Sequence, residues 1–151
     1  MQARMSNPAI AVPGALEALR ALSTAIEETG LSATTQELVH LRASQINGCS
    51  VCLQMHAQAL RKMGESDEKI DTVAGWPDAP YFDDAERAAL ALTEAVTRMS
   101  DTSDPVPDDV YEAASAHYDE QQLGALILSI AAINVWNRVN VSTHQVAGAW
   151  G

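Results

Sequence analysis

Two cysteines, Cys49 and Cys52, stand three residues apart, and His56 follows four residues after the second. On a helix turning about 100° per residue these three side chains share one narrow face. The thiolate is the reactive form of cysteine, and both an unpaired helix N-terminus and a neighbouring imidazole favour it. Cys49 is expected at the start of a helix and Cys52 one turn in, so both thiols have a source of activation. This is the equipment of a two-thiol redox cycle. His56 takes a proton from Cys52, the thiolate attacks an electrophilic oxygen or sulfur, and Cys49 resolves the product as a disulfide. Glu37 lies twelve residues before Cys49 and would close the relay if the preceding helix folds back, bringing its carboxylate to His56 directly or through a water. His40, three residues after Glu37, lies near the same face and is expected to support the site from outside the reacting groups.

The elements that must position these residues are helical throughout. Pro13-Gly14 opens a segment with Leu16, Leu19, Leu22 and Ile26 at helical spacing, which Gly30 ends. Thr34 with Glu37 has the form of a capping box, followed by Leu38, Val39, Leu41 and Ile46 up to the break at Asn47-Gly48. The Cys-x-x-Cys-x-x-x-His run (49–56) then opens a third helix that reaches Gly64, so the break makes a helical hairpin. A short helix capped by Ser66, a loop from Gly75 to Pro80, a helix from Asp83 or Asp84 through Met99, and one over Asp108 to Tyr118 follow. The last helix, Glu120 to Asn140, is apolar on nearly every side and belongs in a core or a subunit interface. The reading is all-α: a single domain over 1–151 with a core of about 16–141, and no repeat or linker divides it.

A chain of 151 residues buries a core without needing disulfides or metal, which leaves its two cysteines free for chemistry. Net charge is −11, with the acids scattered, so a phosphate backbone is an unsuitable partner and nucleic acid is excluded. Met1 to Met5 lacks a secretory pattern, and the apolar run 123–136 falls short of the ~20 residues of a membrane span, so a cytoplasmic protein is expected and a membrane protein is not. No glycine-rich phosphate loop is present, and no flavin, haem, nucleotide or metal cofactor is implied.

The run Glu37-Leu38-Val39, Asn47-Gly48-Cys49-Ser50-Val51-Cys52 and His56 resembles the core of the alkyl hydroperoxidase D family, part of the carboxymuconolactone decarboxylase superfamily. The Trp-Pro-x-Ala-Pro loop at Trp76 and Ile133-Asn134-Val135-Trp136-Asn137-Arg138 extend the resemblance to roughly Leu16–Val141. It implies an all-helical fold assembled as a trimer or hexamer, with Cys52 as the peroxide-attacking cysteine, Cys49 as the resolving cysteine, and Glu37 and His56 as the proton relay. It also implies a peroxide substrate and reduction by a lipoylated partner. A thioredoxin-like protein or small thiol would serve the same purpose. The best-studied type carries a histidine immediately before the second cysteine, where this chain has Val51.

Other readings use the same residues. A non-enzymatic redox or zinc-binding interaction module would draw zinc ligands from Cys49, Cys52 and His56, with His40 or Glu37 as the fourth. A non-redox enzyme acting on a carbonyl or lactone would use Glu37 and His56 as acid and base, although the classical decarboxylases of the superfamily lack the cysteine pair. Trp136, Asn137 and Arg138 are assigned to packing and subunit contacts, Trp76 to the border of a pocket, and His117 and His144 to ordinary hydrogen bonding.

Overall fold

The computed structural model describes residues 1–149. All regular structure among them is helical: α1 (Pro8–Ala11), α2 (Ala15–Glu27), α3 (Ala33–Asn47), α4 (Ser50–Lys62), α5 (Asp67–Asp71), α6 (Asp84–Thr97), α7 (Asp108–Ser115) and α8 (Glu120–Ser142), with 3-10 turns at Val73–Gly75 and Met99–Asp101. The all-α fold expected from the sequence is the fold observed.

Local chemistry sets most of these boundaries. Asp83 with Glu86 and Asp119 with Gln122 close reciprocal capping boxes at the starts of α6 and α8, and Ser66 caps α5. Gly48 adopts a left-handed φ of 68° and gives its N–H to the Ser44 carbonyl, which ends α3. The next residue, Cys49, is already the N-cap of α4. The α3–α4 hairpin therefore turns in two residues, and the register between Glu37 and His56 is fixed by this turn.

The structure differs from the sequence reading in three respects. The expected capping box of Thr34 and Glu37 does not form, because α3 begins earlier: Ser32 caps it by accepting the Thr35 N–H at 3.4 Å. Thr34 instead donates to a Glu65 carboxylate oxygen at 3.2 Å, and Glu37, one turn further along, is free to face α4. Secondly, the short helix α1 was not anticipated; Asn7 caps it and Pro8 occupies its first turn. Thirdly, α6 and α7 stop at Thr97 and Ser115, leaving Met99 and Tyr118 outside them, while α8 continues to Ser142. At 23 residues α8 as a whole is long and apolar enough to cross a membrane by length and composition, although the apolar run within it is shorter. Its Leu126, Ile130, Ile133 and Asn137 are nonetheless buried within the fold.

Helix α3 is the spine, packed on α4, α6 and α8. One apolar cluster joins Ile26, Val39, Leu92, Leu126 and Ile130 across α2, α3, α6 and α8. A second joins Leu38, Leu41, Leu60, Phe82 and Leu90 across α3, α4, α6 and the loop before α6. A third contains both cysteines, with Ala43, Val51 and Ile133. The loop before α6 is pinned by Arg87, whose guanidinium donates to the carbonyls of Trp76, Ala79 and Phe82.

Polar groups along the α3–α8 seam satisfy one another. Asn137, fully buried, donates to Ser44 Oγ at 3.0 Å and accepts from Asn47 at 2.9 Å. Asn47 also donates to Asn134 at 3.0 Å. Burying an amide is costly unless its partners are present, so these pairs fix how α8 seats on α3.

Candidate active site

The N-cap position of α4 is held by a sulfur: Cys49 Sγ accepts the Cys52 backbone N–H at 3.3 Å. The two cysteine sulfurs are at bonding distance, joined as a disulfide with Cα atoms 5.3 Å apart. Both residues are buried. A third polar group reaches them from α8, where Asn140 Nδ2 points at Cys52 Sγ (3.4 Å) and, more distantly, at Cys49 Sγ (3.9 Å).

One turn along α4, His56 Nδ1 lies 2.8 Å from Glu37 Oε2 on α3. Burial raises the Glu37 carboxyl, but the imidazoles of His40 and His56 outweigh it and bring its pKa down to about 2. The carboxylate is therefore ionised near neutral pH and can only accept. The hydrogen between the two groups then belongs to His56 Nδ1, and in the neutral ring Nε2 is the nitrogen left to act as a base. This is the arrangement in which an acid orients a base for nucleophile activation.

His40 joins the same group. Its ring centroid is 4.8 Å from that of His56, its Nδ1 stands 3.8 Å from Glu37 Oε1, and its Nε2 pairs with Ser129 Oγ at 2.8 Å. Burial pushes the His40 pKa below its usual value, against the pull of Glu37. Its Nδ1 is buried with no hydrogen-bond partner.

Glu37, His40, Cys52 and His56 all line one cavity of about 400 Å³. Its apolar walls come from α2 (Leu16, Ile26), α4 (Val51, Met55) and α8 (Ile133, Trp136). An apolar chamber with a polar, titratable floor suits an organic molecule carrying one reactive polar group.

The structure thus brings together Glu37, His40, Cys49, Cys52 and His56. It removes Trp76, whose indole N–H is committed to Glu94 at 2.9 Å and which does not border the cavity, while Trp136 does. Asn137 packs as expected, and Arg138 is spent on Asn134. His117 and His144 are exposed, the latter with a φ of 52°. Sequence reasoning missed Ser129 and Asn140 on α8, and Asn7 behind Asn140. Among the described residues, the group whose ligand atoms lie close enough to hold a metal is Glu37, His40 and His56, all within 4.8 Å of one another, and it includes neither cysteine.

An all-helical fold with a Cys-x-x-Cys pair at a helix start, a histidine one turn along the same helix and a glutamate on the facing helix is consistent with the alkyl hydroperoxidase D-like fold. The chain belongs to the carboxymuconolactone decarboxylase family, whose model matches residues 13–95, and to its alkyl hydroperoxidase D-like members. It is 36% identical over 149 residues to the uncharacterized protein YdfG of Bacillus subtilis, covering 99% of both chains. A crystal structure from Agrobacterium tumefaciens superposes with a TM-score of 0.89 at 34% identity, covering 98% of this chain and 99% of the other. That protein is of unknown function, with a role in antioxidant defence as an AhpD suggested for it. The debrominase Bmp8 shares the fold at a TM-score of 0.79 and 19% identity, over 91% of this chain and 73% of that one.

Proposed function

We propose that the protein is a two-cysteine peroxidase acting on organic hydroperoxides. The observation that carries this reading is that Cys52, half of a closed Cys-x-x-Cys pair, opens on the same cavity as the Glu37–His56 pair. In the reduced chain His56 takes the Cys52 proton while Glu37 steadies the imidazolium. The thiolate attacks the peroxide, the O–O bond breaks, and the alcohol leaves with the proton returned by His56, so Cys52 becomes a sulfenic acid. The Cys49 thiol then attacks that sulfur, the S–S bond forms and water leaves. A dithiol donor, a lipoylated or thioredoxin-like protein or a small thiol, supplies two electrons and two protons to reopen the pair.

Pre-reduced protein mixed with an organic hydroperoxide tests the cycle by thiol counting. The expected result is loss of both thiols with one peroxide consumed. Cys52→Ser should abolish consumption, whereas Cys49→Ser should allow one turnover and stop at a sulfenate or mixed disulfide. Equal, mild effects of the two changes would sink the assignment.

One observation favours a second reading, a zinc-holding module: the buried, unpartnered Nδ1 of His40 faces Glu37 and His56, and the three together offer two nitrogens and a carboxylate. Metal analysis of the same purified sample decides between them. One zinc per chain with thiols inert to peroxide would favour the module.

A further inference from the structure

The buried amide of Asn140 has a determined orientation, and the determination begins at the other end of the chain. Asn7 caps α1 by accepting the Ala9 N–H on its Oδ1 at 2.9 Å. A backbone N–H can only donate, so this contact fixes which end of the Asn7 amide is oxygen. The Asn7 Nδ2 must then be the group that meets Asn140, and it donates to Asn140 Oδ1 at 2.8 Å. With its oxygen taken, Asn140 turns its Nδ2 toward the sulfurs, nearest to Cys52 at 3.4 Å. Both asparagines are buried, Asn7 at 3% and Asn140 at 7% exposure. The segment that carries Asn7 is strapped onto the end of α8. The Arg4 N–H donates to the Thr143 carbonyl at 2.9 Å, and Gln145 Nε2 donates to the Met5 carbonyl at 3.0 Å.

An N–H aimed at sulfur does little for a neutral disulfide or thiol, which accept weakly, and much for a thiolate, which accepts as an anion. We propose that Asn140 is a catalytic residue of the pair, the donor that stabilises the Cys52 thiolate, and that Asn7 is the positioning residue that keeps its N–H turned to sulfur. The assignment deepens the peroxidase reading by naming what holds the anion once His56 has taken the proton. The charged and titratable groups on the surrounding helices are His56 on α4, Glu37 and His40 on α3, and Arg20 and Glu27 on α2 across the cavity, with His144 beyond α8. Cys49, at the cap, supplies no hydrogen to Cys52 in this arrangement; it accepts one from the Cys52 backbone.

The test uses the reduced full chain carrying Cys49→Ser, so that one thiol reports, with its ultraviolet thiolate absorbance followed against pH. Asn140→Leu is expected to raise the titration midpoint by about one pH unit, a tenfold fall in the thiolate-to-thiol ratio. Asn7→Ala leaves the Asn140 amide in place but releases it, and is expected to raise the midpoint by a smaller amount. Asn140→Ala, smaller and without a side-chain donor, replaces the leucine variant should that chain fail to fold. Folding of each variant is checked by circular dichroism, because loss of packing alone does not move the midpoint in this graded order. An unchanged midpoint in folded Asn140 variants would overturn the proposal. The titration needs no peroxide. Midpoint shifts in a chain that consumes no hydroperoxide would therefore uphold Asn140 as the thiolate donor and reject the peroxidase reading alone.

Discussion

His56 and Glu37, nineteen residues apart and on different helices, share a hydrogen across 2.8 Å, and the carboxylate that holds the imidazole is anionic well below neutral pH. Glu37→Gln removes the anion while keeping the shape. The amide no longer fixes the hydrogen on Nδ1, so the basic nitrogen is lost for part of the population. Hydroperoxide turnover is expected to fall by about 10²-fold with KM little changed, as removal of a proton relay requires. Steady-state rates with saturating reductant check it, and an unaltered kcat would remove Glu37 from the relay.

The same residue gives the fold a pH dependence. Its pKa is about 2 in the folded chain against 4.5 as the ordinary value. The unfolded chain therefore takes up a proton before the folded chain does, and the stabilisation is complete above 4.5 and lost as pH falls toward 2. It is worth on the order of 2 kcal/mol once solvent screening at the cavity is allowed for. His40 acts in a higher window. Its folded pKa lies below the ordinary 6.5, so stability also declines as pH falls through 6.5 and the unfolded imidazole becomes charged. Thermal melts from neutral to acid pH should show both declines, and Glu37→Gln should flatten the lower one.

Ala132 lines the cavity on the α8 side and is nearly buried. Ala132→Phe would fill part of the 400 Å³ chamber from the α8 side while leaving Glu37, His56 and both cysteines in the chain. Consumption of a bulky aromatic hydroperoxide is expected to fall at least tenfold relative to hydrogen peroxide. Parallel loss with both oxidants would mean that the chamber does not receive the organic group.

The part of the site that was legible in the sequence is the part carried by one hairpin. Cys49, Cys52 and His56 are neighbours on a single helix face, and Glu37 is placed opposite them by a turn that Asn47-Gly48 announces. Ser129 and Asn140 were not legible, because the chain returns to the hairpin only after 88 residues or more and nothing local names the partner, and Asn7 reaches the site only through Asn140. A signal was present all the same. Ser129, Asn134, Asn137 and Asn140 interrupt an apolar helix, and buried polar residues demand partners. Asn7-Pro8 likewise has the form of a helix start. Trp76 was misplaced because the composition of a loop says nothing about where it docks; the carboxylate of Glu94 decides that.

The cavity is built from two inheritances. Its reactive floor belongs to α3, α4 and α8, whose residues are locked to one another by amides, a disulfide and a carboxylate, so that a change in one disturbs the rest. The opposite wall belongs to α2, which contributes Leu16, Arg20, Ser23, Ile26 and Glu27 to the lining. Among the described residues, none of these five hydrogen-bonds to the sulfurs or to the Glu37–His56 pair. Ile26 also packs in the core, but Arg20, Ser23 and Glu27 do not, so substitutions at these three α2 positions can reshape what the chamber admits while the groups beneath it keep their geometry.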